Sequence, residues 1–372
     1  MLNIRICKLI VDLEKEINNI LSTINEPVLN RDFLTLGFIK RINETDTSVS
    51  IILGITDIEY SGLNVLKESI SSAVKQKFPQ IKNVEIKFDT GILNHNDSQK
   101  QNVMPGVKNT IAVASGKGGV GKSTVAVNLA ASLSKLGAKV GLIDADIYGP
   151  SIPTMLNVNS RPEVVNVNGK NKMKPVIQYG IKLMSIGFLI DNESAVVWRG
   201  PMASSAIKQF MSDVVWDDLD FLLFDLPPGT GDIQLTLSQT IPLTGALIIT
   251  TPQEISLTDA KKGHLMFDKV NVQTLGVIEN MSYYKNPDGQ KEYIFGKGGG
   301  EKLCSEYRLK LIGEIPINTL IRECGDNGNP IVFAYPDSEE SLLYNNIAKT
   351  LIKEVNLKNV NDLNSSGLEI SL

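Results

Sequence analysis

Two lysines, a serine and three aspartates have the types and spacing to handle a phosphate and a metal ion. The run Gly116-Lys117-Gly118-Gly119-Val120-Gly121-Lys122-Ser123 fits G-x-x-x-x-G-K-S, and Thr124 follows it. Glycines let successive backbone N–H groups turn toward one anion, and the helix beginning near Lys122 adds its positive dipole end. In such a loop Lys122 reaches the β- and γ-phosphates of a nucleotide and the Ser123 hydroxyl ligates Mg²⁺. Asp144 and Asp146 are two residues apart, so on a regular strand they share a face. One can sit in the metal shell while the other orients an attacking water. The spacing leaves the roles interchangeable, and we assign Asp144 to the metal and Asp146 to the water. Asp225 closes the apolar run Phe221–Phe224, where a carboxylate holds Mg²⁺ through water. The expected metal set is Ser123, Asp144 and Asp225.

These groups need a scaffold that brings them to one edge. Thr110–Val113 is a β-branched lead-in to the loop. Val125, Leu129, Leu133 and Leu136 follow at helical spacing, with Gly137 at the C-terminal cap position. Ala138–Ile143, Asp220–Asp225, Ala246–Thr251, Leu275–Ile278 and Leu309–Ile315 read as further strands, and residues 152–200 are less regular. Asp337–Glu340 gives a D-x-x-E start to a last helix, Leu342–Val355. The pattern predicts an α/β domain over residues 109–355, a mainly parallel sheet flanked by helices. Carboxylates at the C-terminal ends of its strands face the ligand crevice. Upstream, an amphipathic helix at 5–25, a strand at Thr47–Ile55, a helix at Leu63–Lys77 and a strand at Val84–Phe88 predict a small α+β domain over residues 1–90. Residues 91–108 read as a polar linker with a solvated His95, and 356–372 as a flexible tail.

The chain has 372 residues, 42% hydrophobic and 21% charged, and a net charge of −4. That is ordinary globular composition, and its acidic balance argues against a nucleic-acid surface. No apolar run approaches the roughly 20 residues of a membrane span, and the N-terminus lacks the apolar core of a signal peptide. Cys7, Cys304 and Cys324 are too sparse for a disulfide framework. A cytoplasmic location is expected.

The second lysine makes the loop K-G-G-x-G-K-S, which resembles the deviant phosphate loop of the MinD/ParA/nitrogenase-iron-protein class. The resemblance implies a homodimer in which Lys117 reaches the partner's nucleotide as a catalytic charge clamp. It also implies that Asn280, in Glu279-Asn280-Met281-Ser282, recognises adenine. Residues 109–350 resemble the Mrp/ApbC family of iron–sulfur cluster carriers. The matching strings are Gly116–Thr124, Asp144–Pro153, Trp198–Met202, Asp225–Asp232, Glu279–Tyr283 and Phe295–Glu301. Pro27 and Leu36-Gly37-Phe38-Ile39 resemble the small domain of iron–sulfur assembly factors, with Glu26 in place of the usual Asp and no cysteine between Thr56 and Leu63. Together these imply a Mg²⁺-dependent, ATP-hydrolysing dimeric switch that assists cluster assembly or delivery to apoproteins. Family members with a [4Fe–4S] site carry C-x-x-C just after the Asn-Met-Ser-Tyr string. Asn286 and Gly289 stand at those places, so no cluster ligands are identified. The alternative is a cysteine-independent regulatory ATPase of the MinD/ParA class, acting on a protein or DNA client.

Overall fold

A computed structural model describes residues 13–45, 47–189 and 200–366. The chain divides into two units, Met1–Asn94 with Ile352–Leu372, and His95–Leu351.

In the smaller unit, α1 covers residues 13–21. The short hairpin strands β1 (Asn25–Glu26) and β2 (Arg31–Asp32) follow. A three-stranded sheet is built from β3 (Ile39–Glu44), β4 (Ser48–Ile55) and β5 (Asn83–Thr90). Its order is β3-β4-β5, with β4 and β5 parallel and joined through α2 (Leu63–Lys77). Val49, Ile51 and Leu53 alternate inward from β4 onto Ile70 and Val74 of the helix. Glu26 is fully buried as a structural clasp. Its carboxylate accepts from the backbone N–H groups of Val28, Leu29 and Thr56 at 2.8, 2.6 and 2.8 Å. Truncating it to alanine would strand buried donors at about 1–3 kcal/mol each.

The larger unit begins with α3 (Ser98–Val103) and is centred on β6 (Val107–Ser115), followed by α4 (Lys122–Lys135), β7 (Val140–Asp144) and α5 (Ile152–Met155). A hairpin of β8 (Glu163–Val167) and β9 (Lys170–Lys174) precedes β10 (Val176–Gln178) and β11 (Ile181–Ser185). Next come α6 (Gly200–Ser212), β12 (Leu219–Asp225), α7 (Asp232–Thr240), β13 (Gly245–Thr250), α8 (Glu254–Lys269) and β14 (Thr274–Glu279). The chain continues through β15 (Tyr284–Lys285), β16 (Lys291–Glu292), α9 (Gly299–Tyr307), β17 (Leu311–Glu314), α10 (Thr319–Asp326), α11 (Ile331–Ala334) and α12 (Glu339–Ser366). Eight strands form one sheet in the order β10-β11-β7-β12-β6-β13-β14-β17, parallel except for β10 against β11. The central strands β7, β12, β6 and β13 are buried along almost their whole length because both faces are covered. Leu222, Phe224 and Ala246 pack into one core with Phe210 and Phe267.

Three expectations differ from what forms. Residues 91–108 are not a loose linker. Ile92, Leu93 and His95 are buried, and Asp97 caps α3 by accepting from the Lys100 N–H at 3.0 Å. Lys100 is itself buried, its ammonium donating to the carbonyls of His95 and Lys108. Nor are residues 356–366 a loose tail, because α12 continues to Ser366, and 367–372 lie outside the described residues. Buried Val360 joins the smaller unit's core, and fully buried Asn356 donates to Thr56 Oγ1 and the Gly91 carbonyl and accepts from the Leu93 N–H. Finally, the irregular region contains the β8–β9 hairpin, closed by Asn168 (φ 52°) and Gly169 (φ 80°), the Asn-Gly pair that a tight two-residue turn requires. Trp198 and Arg199 lie outside the described residues.

Candidate functional site

The sheet register assembles the acidic cluster. Asp225 of β12 pairs with Asp144 of β7, and Asp144 pairs with Ser185 of β11. Adjacent strands lie about 4.8 Å apart, so these three side chains form a row at the C-terminal edge of the sheet. β6 ends beside them and releases the glycine loop.

That loop is shaped by Gly119 and Gly121, both at φ 81°, a left-handed conformation that favours glycine. Gly121 is the residue from which α4 departs. Gly116 is required for a different reason. A Cβ there would come within 2.3 Å of the Asp259 backbone carbonyl in α8, so only a hydrogen lets the helix pass. Among the described residues, the N–H groups of Gly118, Gly119, Val120 and Gly121 make no hydrogen bond. Unengaged amides on a curved loop at a helix N-terminus form an anion cradle.

Lys122 and Ser123 meet over Asp225. Lys122 donates to one carboxylate oxygen at 2.6 Å and Ser123 donates to the other at 2.6 Å. The Lys122 ammonium also lies 3.6 Å from Asp146 Oδ2. Burial pushes the Asp225 carboxyl above its ordinary range, against the opposing charge and hydrogen bond of Lys122. Burial also pushes the Asp144 carboxyl up to about 8, helped by the neighbouring Asp225 charge. Asp144 is the more tightly held of the β7 pair. It accepts from Ser185 Oγ at 3.0 Å, from the Ile152 N–H at 3.3 Å and from the Asp146 N–H at 3.2 Å. Asp146 accepts from the Tyr148 N–H at 3.2 Å and retains slight exposure at the crevice. The structure therefore separates two carboxylates that spacing alone leaves interchangeable. Ser123, Asp144 and Asp225 offer an all-oxygen donor set, which suits a hard cation such as Mg²⁺.

The remaining expected residues are close by. Lys117 Nζ lies 3.5 Å from Gln253 Oε1 at the start of α8. Asn280 is buried at the end of β14 and donates to the Val120 carbonyl at 2.8 Å, which ties it to the phosphate loop. Its amide nitrogen carries a second hydrogen and its Oδ1 is an acceptor, so a donor and an acceptor remain for a base edge. Asp259 lies within α8 and pairs with Lys262.

Two supporting residues escape sequence reasoning. Ser185 holds Asp144, and its position becomes visible only through the strand register. Glu279 is almost fully buried and accepts from the Gly300 N–H and from Ser282 Oγ. This gives the glycine run at 298–300 a reason. A Cβ on Gly299 would meet the Pro252 carbonyl at 2.6 Å, and one on Gly300 would crowd Glu279 at 3.1 Å.

The place expected for cluster thiolates is occupied by a closed turn. Asn286 donates its side-chain amide to Glu292 at 3.1 Å and accepts from the Gln290 N–H at 2.9 Å. Its backbone N–H donates to the Gln290 carbonyl, and Gly289 takes φ 81° to bring the chain back. Cys304 and Cys324 are buried elsewhere, and burial pushes the Cys304 thiol up to about 11.

A family model described as NUBPL iron-transfer P-loop NTPase matches residues 106–352, and one described as iron–sulfur cluster assembly protein matches residues 14–88. The iron–sulfur cluster carrier protein of Escherichia coli (strain K12) is 45% identical over 330 residues, 88% of each chain. That of Aquifex aeolicus is 52% identical over 257 residues, 68% of this chain and 70% of the relative. A nucleotide-binding protein from Archaeoglobus fulgidus, solved in complex with ADP and with cobalt found in it, is 36% identical. It covers 66% of this chain and 99% of its own, with a TM-score of 0.56.

Proposed function

The chain belongs to the family of NUBPL-type iron-transfer P-loop NTPases, and from that premise we propose that it is a cytoplasmic, homodimeric ATPase switch assisting iron–sulfur cluster assembly or delivery to apoproteins. The observation carrying this reading is the convergence of Lys122, Ser123 and Asp225 beneath a loop of unengaged amides. In this reading the nine residues Gly116 to Thr124 cradle the phosphates of ATP and Asn280 takes the adenine edge. Ser123, Asp144 and Asp225 hold Mg²⁺, which when bound neutralises charge on the phosphate oxygens. Lys122 exchanges the Asp225 carboxylate for phosphate oxygens. Asp146, the less restrained carboxylate, accepts a hydrogen bond from the attacking water and so orients it.

Lys117 would complete the site of a second copy. Exposed Tyr148, Ile255 and Ile294 belong to segments that carry Asp146, Gln253 and the chain beside Pro252, which supports a face between copies on this side. We assign residues 1–90 to a docking module with no chemistry of its own, the fully buried Glu26 carboxylate being spent on backbone amides.

The test is phosphate release with and without Mg²⁺, alongside anaerobic reconstitution and an assay of bound iron and sulfide. Mg²⁺-dependent turnover with retained iron supports the proposal; no turnover sinks the ATPase part. One observation favours a second reading. The Asn286–Gly289 turn offers no thiolate, so Mg²⁺-dependent turnover with no retained iron would point to a regulatory ATPase with a protein or DNA client.

A further inference from the structure

We infer that the β8–β9 hairpin and the open strand β10 form a docking surface for an extended, acidic segment of a partner protein, added beside β10 as a further strand. The inference does not rest on the nucleotide reading. Among the described residues β10 is the edge of the central sheet and pairs only with β11, so its outer row of backbone N–H and C=O groups has no strand partner there. An open edge is a template for an added strand, whose backbone supplies affinity while alternate side chains enter flanking pockets. Such pockets are present. A cavity of about 260 Å³ is lined by Arg161, Lys174 and Ile177, and one of about 150 Å³ by Val165, Lys174 and Ile177. Ile177 on the edge strand is well exposed.

Charge selects the occupant. In a chain of net charge −4, β9 carries lysines at 170, 172 and 174, every second residue. Alternate strand positions are about 6.6 Å apart, the same interval at which an extended peptide presents alternate side chains. Lys172 donates to the Ser212 carbonyl. Lys170 and Lys174 are exposed and have no ion-pair partner among the described residues, although Glu163 stands across from Lys174 in the register. A strand with carboxylates alternating with branched apolar side chains complements this surface.

The hairpin end of this surface is also remote from the glycine loop. A third cavity, of about 360 Å³, links the hairpin residues Val167 and Lys172 to Val107, where β6 begins, whereas the glycine loop follows Ser115, where β6 ends. Eight strand steps separate these by about 26 Å. A partner docked here leaves the crevice open.

The test uses the full chain and a fluorescein-labelled decapeptide of alternating glutamate and valine, read by fluorescence anisotropy. Saturable binding is expected, weakened about tenfold or more by Lys170→Glu with Lys174→Glu, while ATP turnover stays at the wild-type level. Amide exchange at Val176–Gln178 should slow when the peptide is added, a readout that needs no variant. Equal binding of a lysine–valine peptide, undiminished binding by the double variant, or protection appearing elsewhere would overturn the assignment. So would oligothymidylate of similar length binding as tightly and being lost in the same variant, since that would make the surface a nucleic-acid site.

Discussion

The glycine loop at Gly116–Ser123 and the turn at Asn286–Gly289 are both short connections bent by positive-φ glycine, yet they keep opposite things. In the loop the N–H groups of Gly118 to Gly121 are unspent and the side chains converge on a ligand position, with Lys122 and Ser123 on Asp225. In the turn the backbone and side-chain groups bond one another, with Asn286 satisfied by Glu292 and Gln290. A site holds its polar groups in reserve, whereas a turn consumes them. The family resemblance alone does not separate the two cases. The hydrogen bonds do.

Several experiments would break or sharpen that contrast, the largest effect first. Lys122→Ala should lower Mg²⁺-dependent phosphate release by about 10³-fold, because it removes the charge placed for the phosphates and leaves Asp225 unpaired. Turnover within a few-fold of wild type would deny the loop its role. Lys117→Ala should lower turnover by about 10–100-fold while changing nucleotide affinity far less, if its contribution is made across a dimer. Near-normal turnover at high protein concentration would remove that role. Asn286→Cys with Gly289→Cys should raise the iron retained after anaerobic reconstitution several-fold over wild type. It should also destabilise the fold by about 1–3 kcal/mol in thermal melts, since cysteine replaces glycine at φ 81°. Equal iron in both proteins would mean that the turn does not control cluster binding. The smallest effect concerns Cys304. Burial raises its thiol to about 11, so the thiolate appears only as pH climbs toward that value. At pH 8 roughly 0.1% should be ionised, and peptide-resolved alkylation should keep accelerating past pH 9. A plateau below pH 9 would make Cys304 a reactive thiol and weaken the contrast.

The phosphate loop and its carboxylates are legible in sequence because each sits at the end of a strand buried on both faces. Such strands read as continuous apolar runs, and the residue that ends the run is the one facing the crevice. Asp144 and Asp225 are found this way. The tighter hold on Asp144 than on Asp146 is not, because Ser185 is 41 positions from Asp144 and meets it only through strand register. The β8–β9 hairpin is missed despite its Asn168-Gly169 signal, since solvent on both faces leaves its strands without a clean alternation. The end of α12 is missed for the opposite reason. Leu357, Val360 and Leu363 fall three residues apart, but Lys358, Asn359, Asn361 and Asp362 between them give the stretch a polar average. Asn356 reads as solvated and is fully buried.

That last helix has a consequence for how the chain is made. The core of the smaller unit gathers Ile17, Phe33, Leu53 and Leu93, then waits for Val360. A ribosome adding about 5–20 residues each second needs roughly 15–50 s to cover the intervening stretch of about 270 residues. During that interval the entire larger unit emerges while its smaller neighbour lacks a core residue. Synthesis order and completion order therefore diverge, since the smaller unit's core is completed only after the larger unit has been made.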